Sequence, residues 1–279
     1  SPDEGNVKRV LRHQKKLGAQ IAIVDSESGR LLGTVDAGRA PATAHPGAVH
    51  IHQGESFVVD HLDLDEGLAL VHPEEPDWTT SAREVTDIAI ADVAEHKRYG
   101  EVGVALVQVE VTHQVVGYLR RLSSGEVFDS VELDMPAQTL HTRAVMYTVT
   151  PELLEEHGIG ADRVPGALHA AEHAAIGLLP LVATCDRGDI GGVSTALHPD
   201  TGLPTVFVYD GHRGGAGFAE RGYAAAQVWL TATRDAIASC ECAEGCPSCI
   251  QSPKCGNGNR PLDKSGAIDL LRAWVRSLD

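Results

Sequence analysis

Five of the six cysteines in this 279-residue chain fall within sixteen positions: Cys240, Cys242, Cys246, Cys249 and Cys255. Thiolates crowded at such short intervals suit a metal clasp. Zinc takes four ligands at tetrahedral positions, with sulfur at about 2.3 Å. Cys242, Cys246, Cys249 and Cys255 leave gaps of three, two and five residues. The turn Cys246–Pro247–Ser248–Cys249 puts two thiols on one side of a tight bend, and Gly245 and Gly256 permit the dihedrals that such a knuckle needs. Cys240 competes for the first place. Cys242 is preferred because its spacing makes the more compact knuckle, with Cys240 the alternative ligand. Four sulfurs leave no open coordination position, so one zinc held here is structural and not catalytic. A disulfide framework would spread its pairs through a small secreted chain. Cys185 stands alone and reads as a small buried residue.

Two further strings carry chemistry. In Leu168–Leu179, LHAAEHAAIGLL, His169 and His173 are four apart and share a helix face, with Glu172 between them. The HxxEH spacing is that of inverted zinc peptidases, in which both histidines bind metal and the glutamate is the base. The sequence names no third ligand, and a pair of hydrogen-bonded histidines on a packed helix is the competing reading. Downstream, YDGHRGGAGF follows an apolar strand. A glycine-rich turn into a helix can cradle phosphate on its backbone amides, with Arg213 in support. No Gly-Lys-Ser/Thr follows, and the dinucleotide spacing is missed. Close backbone packing around Asp210, Gly214, Gly215 and Gly217 is the alternative. Asp186 and Asp189 form a second acidic turn that can face this corner.

The elements that position these groups follow from periodicity. IAIVD, a turn holding Gly29, and LLGTVD predict a hairpin; AVHIHQGESFVVD predicts another around Gln53–Gly54. Glu74–Asp77, with two prolines nearby, predicts a loop. Val102–Val116, Val127–Leu133 and Ala144–Val149 alternate as strands. Helical patterns cover Pro151–His157, Pro165–Leu179, Ala216–Ala238 and Lys264–Ser277, while Asp189–Leu197 and Pro204–Tyr209 read as strands. The fold class expected is α+β. A β-rich, barrel-like domain at residues 20–150 is followed by a mixed helix/strand zinc domain at 151–279, and residues 1–19 form a basic linker or arm.

Composition limits the partners. Lys plus Arg is 23 against 39 for Asp plus Glu, a net charge of -16. An even positive coat for gripping phosphates is excluded, so nucleic acid must be met by a local patch or by a neighbouring domain. Arg213, Lys254, Arg260 and Lys264 are the candidates for such a patch. No apolar run approaches the ~18 residues of a membrane span. The polar start is no signal peptide, and without an initiator Met the chain reads as part of a longer protein.

Several strings together carry a resemblance: AHPGAVHIHQGESFVV, LHAAEHAAIGLLP, CDRGDIGG, VFVYDGHRGGAGFAE and CECAEGCPSCIQSPKCGNGNRPLDK. From about Ile21 onward the chain resembles the C-terminal region of the MrfA/YprA-like superfamily 2 DNA helicases, including actinobacterial members. The resemblance implies a bacterial, cytoplasmic, nucleoid-associated parent. That parent would translocate 3′ to 5′ on single-stranded or forked DNA with ATP and Mg, and act in DNA repair. It also implies RecA-like motor domains on the same polypeptide and one structural zinc on four cysteines, onto which Cys242, Cys246, Cys249 and Cys255 fall. His169, Glu172, His173, Asp189, Asp210, Gly214, Gly215 and Gly217 fall on family motifs without an assigned role. This segment has no Walker A lysine motif and no DEAH-like box, so no catalytic residue is named. The expected function is an accessory, DNA-guiding module; a metallohydrolase using His169, Glu172 and His173, or a protein-interaction module on the β-rich half, are the alternatives.

Overall fold

Turn chemistry sets the first strands. In the computed structural model, which describes residues 20–278, β1 (Gln20–Asp25) and β2 (Leu31–Asp36) pair antiparallel across a turn in which Gly29 takes a φ of 71°. The expected basic arm at residues 1–19 lies outside the described residues. A four-residue helix, α1 (Ala40–Thr43), follows. β3 (Val49–His52) returns as β4 (Glu55–Asp63) through Gln53 and Gly54, at φ 51° and 86°; two left-handed residues in succession make the turn whose twist matches a hairpin. β5 (Leu68–Pro73) pairs with β4 and lies parallel to β1, which completes a sheet of order β2-β1-β5-β4-β3. Its inward positions Ile21, Ile23, Phe57, Val59 and Val71 form one core.

The second sheet is built on two long strands, β6 (Trp78–Tyr99) and β7 (Val102–Leu122). It continues through β9 (Gln138–Val149) to β11 (Thr205–Asp210) and β10 (Ile190–Thr195), while β8 (Val127–Glu132) pairs with β7. The sheet curls into a half-barrel, and the α+β class holds. The chain divides into two compact units, but not at residue 150. One takes the described residues up to Val85 together with His113–Gln138; the other takes Thr86–Thr112 and everything from Thr139. β6 and β7 each give part of their length to both. β9 pairs with β11 from Ala144 to Thr148, which ties residues on both sides of the expected cut into one sheet.

In the second unit the sheet is buried on both faces, as the unbroken apolar runs of β7, β9 and β11 require. Val102, Val104, Leu106, Val145, Tyr147, Val206 and Val208 face the helices. Ala105, Val107, Val109, Val111, Ala144, Met146 and Phe207 take the other side and pack with Ile88. The period of two places each residue.

Five helices complete this unit. α2 (Pro151–Glu156) has Pro151 in its first turn, and the Thr150 hydroxyl accepts from the Leu153 amide. α3 (Val164–Leu178) is buried at every position from Gly166 to Ala175. Its alanines allow close approach: Ala167 lies against Gly266, and the Trp229 indole donates to the Ala175 carbonyl at 2.9 Å. The helical pattern 216–238 is two helices, α4 (Phe218–Ala224) and α5 (Ala226–Ser239), broken at Ala225, which ends one and begins the other. α6 (Lys264–Leu278) is capped by Asp263, whose carboxylate accepts from the Gly266 amide at 2.8 Å and from Arg163 at 2.8 Å.

Trp229 of α5 is fully buried against α3, so Trp229→Ala should lower unfolding free energy by about 3–5 kcal/mol in a urea titration. Asp263→Ala should cost about 1–2 kcal/mol through the lost cap. Burial alone would raise the Asp263 carboxyl, but hydrogen bonds from Arg163, the Gly266 amide and Ser265 hold it below its ordinary value. A depressed carboxyl stabilises above its unfolded pKa and loses that contribution as pH falls through the folded one, so the Asp263→Ala penalty should fade below about pH 4.

Candidate metal centre

α5 ends at Ser239, and the chain leaves it in extended backbone at Cys240. The next ten residues fold on themselves: the amides of Cys249, Ile250 and Gln251 all donate to the Cys246 carbonyl, at 3.0, 3.2 and 3.1 Å. Gly245, at φ 111°, lies so close to Ile250 that no Cβ fits there. The knuckle brings four sulfurs together. Cys240 lies 3.6 Å from both Cys242 and Cys246, Cys242 lies 3.5 Å from Cys249, and Cys246 lies 3.8 Å from Cys249. Tetrahedral zinc with sulfur at about 2.3 Å holds its ligands about 3.8 Å apart, so the donor set and its spacing fit zinc.

This quartet differs from the expected one. Cys240 belongs to it and Cys255 does not. Spacing favoured Cys242 over Cys240, yet both point inward because the helix end turns directly into the knuckle.

The electrostatics show what the cluster requires. Burial, helped by hydrogen bonding to the Cys242, Cys246 and Cys240 thiols, pushes the Cys249 thiol up to about 12 against the opposing pull of the Cys246 amide. Burial also works against a Cys242 thiolate, but hydrogen bonds from Cys249, Cys240 and Lys264 outweigh it and bring that thiol down to about 7. Four thiols this close cannot all ionise against one another without a cation in their midst. The Amide of Cys246 donates to Cys249 Sγ at 3.3 Å. Lys264, expected as a DNA contact, is committed here: its ammonium donates to the carbonyls of Cys240 and Cys242, at 2.6 and 2.5 Å, and to Cys242 Sγ at 3.3 Å.

Cys255 lies instead with His169 and His173 of α3, the three ligand atoms all within 4.8 Å of one another. Glu172 points the other way, against Gly192 of β10, and hydrogen-bonds Ser194. Burial raises its carboxyl to about 7, against the pull of Ser194 and His169. It is 6% exposed.

The glycine corner is filled by the protein's own anion. Asp210 is fully buried and its carboxylate accepts from the amides of Ala216, Phe218 and Ala219, at 2.5, 3.2 and 2.8 Å. Gly214, Gly215 and Gly217 take φ of 79°, 85° and 91° to aim those amides inward. The packing alternative therefore holds. Asp189 does face this corner: the Gly211 amide donates to its carbonyl at 2.7 Å, and its carboxylate lies 3.5 Å from His212. Of the remaining cations, Arg213 and Arg260 are exposed, and Lys254 donates to the carbonyls of Arg187 and Gly188 at 3.1 and 2.9 Å. Among the described residues no helix is long and apolar enough to cross a membrane.

Known proteins are similar to this chain. A family model described as the MrfA Zn-binding domain matches residues 171–250. The ATP-dependent helicase hrq1 of Schizosaccharomyces pombe is 26% identical over 265 residues, covering 89% of this chain and 25% of its own. The uncharacterized ATP-dependent helicase YprA of Bacillus subtilis is 26% identical over 234 residues, covering 82% and 31%. The uncharacterized protein MJ1572.1 of Methanocaldococcus jannaschii is 40% identical over 109 residues, which are 37% of this chain and 96% of that one. A crystal structure of the DUF1998 helicase MrfA bound to DNA superposes with a TM-score of 0.65 at 24% identity, over 91% of this chain and 34% of that one, a likeness of fold. The chain thus spans only a quarter to a third of the helicases it matches. The knuckle cysteines lie inside the matched zinc-binding segment, the chain belongs with MJ1572.1 over the 109 residues they share, and its similarity to the YprA and Hrq1 helicases runs through most of its length.

Proposed function

We propose that the chain is the zinc-stapled accessory module of an ATP-dependent 3′–5′ DNA helicase of superfamily 2 that works in DNA repair. The observation that carries this reading is the sulfur quartet of Cys240, Cys242, Cys246 and Cys249, set at tetrahedral separations inside a segment matched by the MrfA Zn-binding domain. In this reading one zinc sits in the quartet and is structural, since four thiolates fill its coordination. ATP and Mg belong to RecA-like motor domains on the same polypeptide, in a bacterial cytoplasm and on the nucleoid. The module guides single-stranded or forked DNA past a local patch that includes Arg213, Arg260 and the backbone-anchored Lys254. Lys264 serves the knuckle instead. The net charge of -16 fits a module that leaves most phosphate neutralisation to the motor. The burial of Glu172 speaks against the metallohydrolase alternative.

Reading the coding sequence upstream of Ser1 tests the assignment: two RecA-like motor domains are expected, and their absence would sink it. Replacing both Cys246 and Cys249 by Ser should remove one zinc per chain by elemental analysis and expose the amides of residues 246–251 to hydrogen exchange. DNA binding by the full chain should be weak and fall with salt, and each of Arg213→Ala and Arg260→Ala should flatten the slope of log affinity against log salt by about one unit if it meets a phosphate.

A further inference from the structure

The helix string His169–Glu172–His173 is left over once the sulfur quartet has claimed its zinc. So is Cys255. The loop from Ile250 to Pro261 embraces α3 at three points. At one end the Ile250 carbonyl accepts from His173 Nδ1 at 2.8 Å, and at the other the Pro261 carbonyl accepts from His169 Nδ1 at 2.8 Å. Between them Cys255 Sγ lies 3.4 Å from His169 Nε2.

The chemistry follows from the two carbonyls. A carbonyl oxygen can only accept, so each Nδ1 carries a proton, and in the neutral ring each Nε2 is a bare lone pair. The two rings sit with centroids 4.3 Å apart and both residues are 9% exposed. Two lone pairs and one sulfur therefore converge, with a single thiol proton to share. Metal-bound histidines are oriented in this same way, by a backbone acceptor on the far nitrogen. Tetrahedral zinc with nitrogen at about 2.0–2.1 Å and sulfur at about 2.3 Å places the two about 3.6 Å apart, near the observed separation.

The loop is built to hold the sulfur there. Asn259, at φ 61°, clips the loop shut: its side chain accepts from the Ser252 amide at 2.7 Å and donates to the Ser252 carbonyl at 3.0 Å. Its own amide donates to Cys255 Sγ at 3.2 Å, as the Cys246 amide does to Cys249 in the quartet.

We propose that His169 Nε2, His173 Nε2 and Cys255 Sγ form a second metal site, distinct from the sulfur quartet, which takes a borderline divalent cation of the zinc or cobalt type. Two imidazoles and a thiolate select such ions over magnesium or calcium. Cys255 is partly exposed, so a water completes the fourth position. The ion fastens α3 to the loop that follows the knuckle.

The test is metal counting on the full chain after dialysis against a weak chelator. Two zincs per chain are expected. Cys255→Ser and, separately, His173→Asn should each lower the count to one, whereas Cys255→His, which keeps a ligand, should retain two. Cobalt substitution adds a readout independent of folding: the visible spectrum should be the sum of a four-sulfur site and a one-sulfur site, and Cys255→Ser should remove only the second. The paired Cys246/Cys249 variant should lose the other ion, so failure of one site is told apart from failure of the other. One zinc per wild-type chain at saturating zinc, unchanged in Cys255→Ser, would overturn the proposal.

Discussion

The zinc-bearing unit depends on how closely α3 can be approached. A helix buried along ten consecutive residues must be small where its neighbours press and fully satisfied where it is polar. Its alanines and Gly166 meet the first demand. Gly266 on α6 and Gly192 on β10 meet it from the other side, since a Cβ at either would collide with Ala167 or with Glu172. The polar demand is met by carbonyls at Ile250 and Pro261 for the histidines and by Ser194 for Glu172. Three layers of structure thus converge on a single helix that has no free face.

A second theme is that the protein neutralises its own special positions. A helix N-terminus behind a glycine-rich turn attracts anions through its amides and dipole. Here a fully buried carboxylate from the preceding strand occupies those amides. A lysine beside a cysteine knuckle would face solvent in a looser fold; Lys264 closes the knuckle on the last helix. In a chain of net charge -16, a phosphate contact has to be made by a local patch of cations.

How much of this could be read from the residues depended on range along the chain. The hairpins at Gly29 and Gln53–Gly54 were legible because turn geometry is local, and β7, β9 and β11 because alternation is. β6 was not, since most of its length is exposed and its pattern mixes alanine with charge. The knuckle was legible as a metal clasp, but its membership was not. Cys255 is drawn away by two histidines more than eighty residues upstream, an attraction that spacing cannot encode. The boundary at residue 150 misled for the same reason: composition changes there while pairing continues from β9 to β11.

The interleaving of the two units has a consequence for synthesis. The residues of β7 up to Thr112 leave the ribosome before their sheet neighbour β9 exists, and before β11 and β10 can extend the sheet beyond it. Val107, Val109 and Val111 must therefore wait for Ala144, Met146 and Phe207, their later core neighbours, while the remainder of the first unit, from His113 to Gln138, is made. For a chain with pairings of such long range, the hazard in the cell is greatest during that interval, and it falls on the centre of a sheet that ends up among the best buried parts of the molecule.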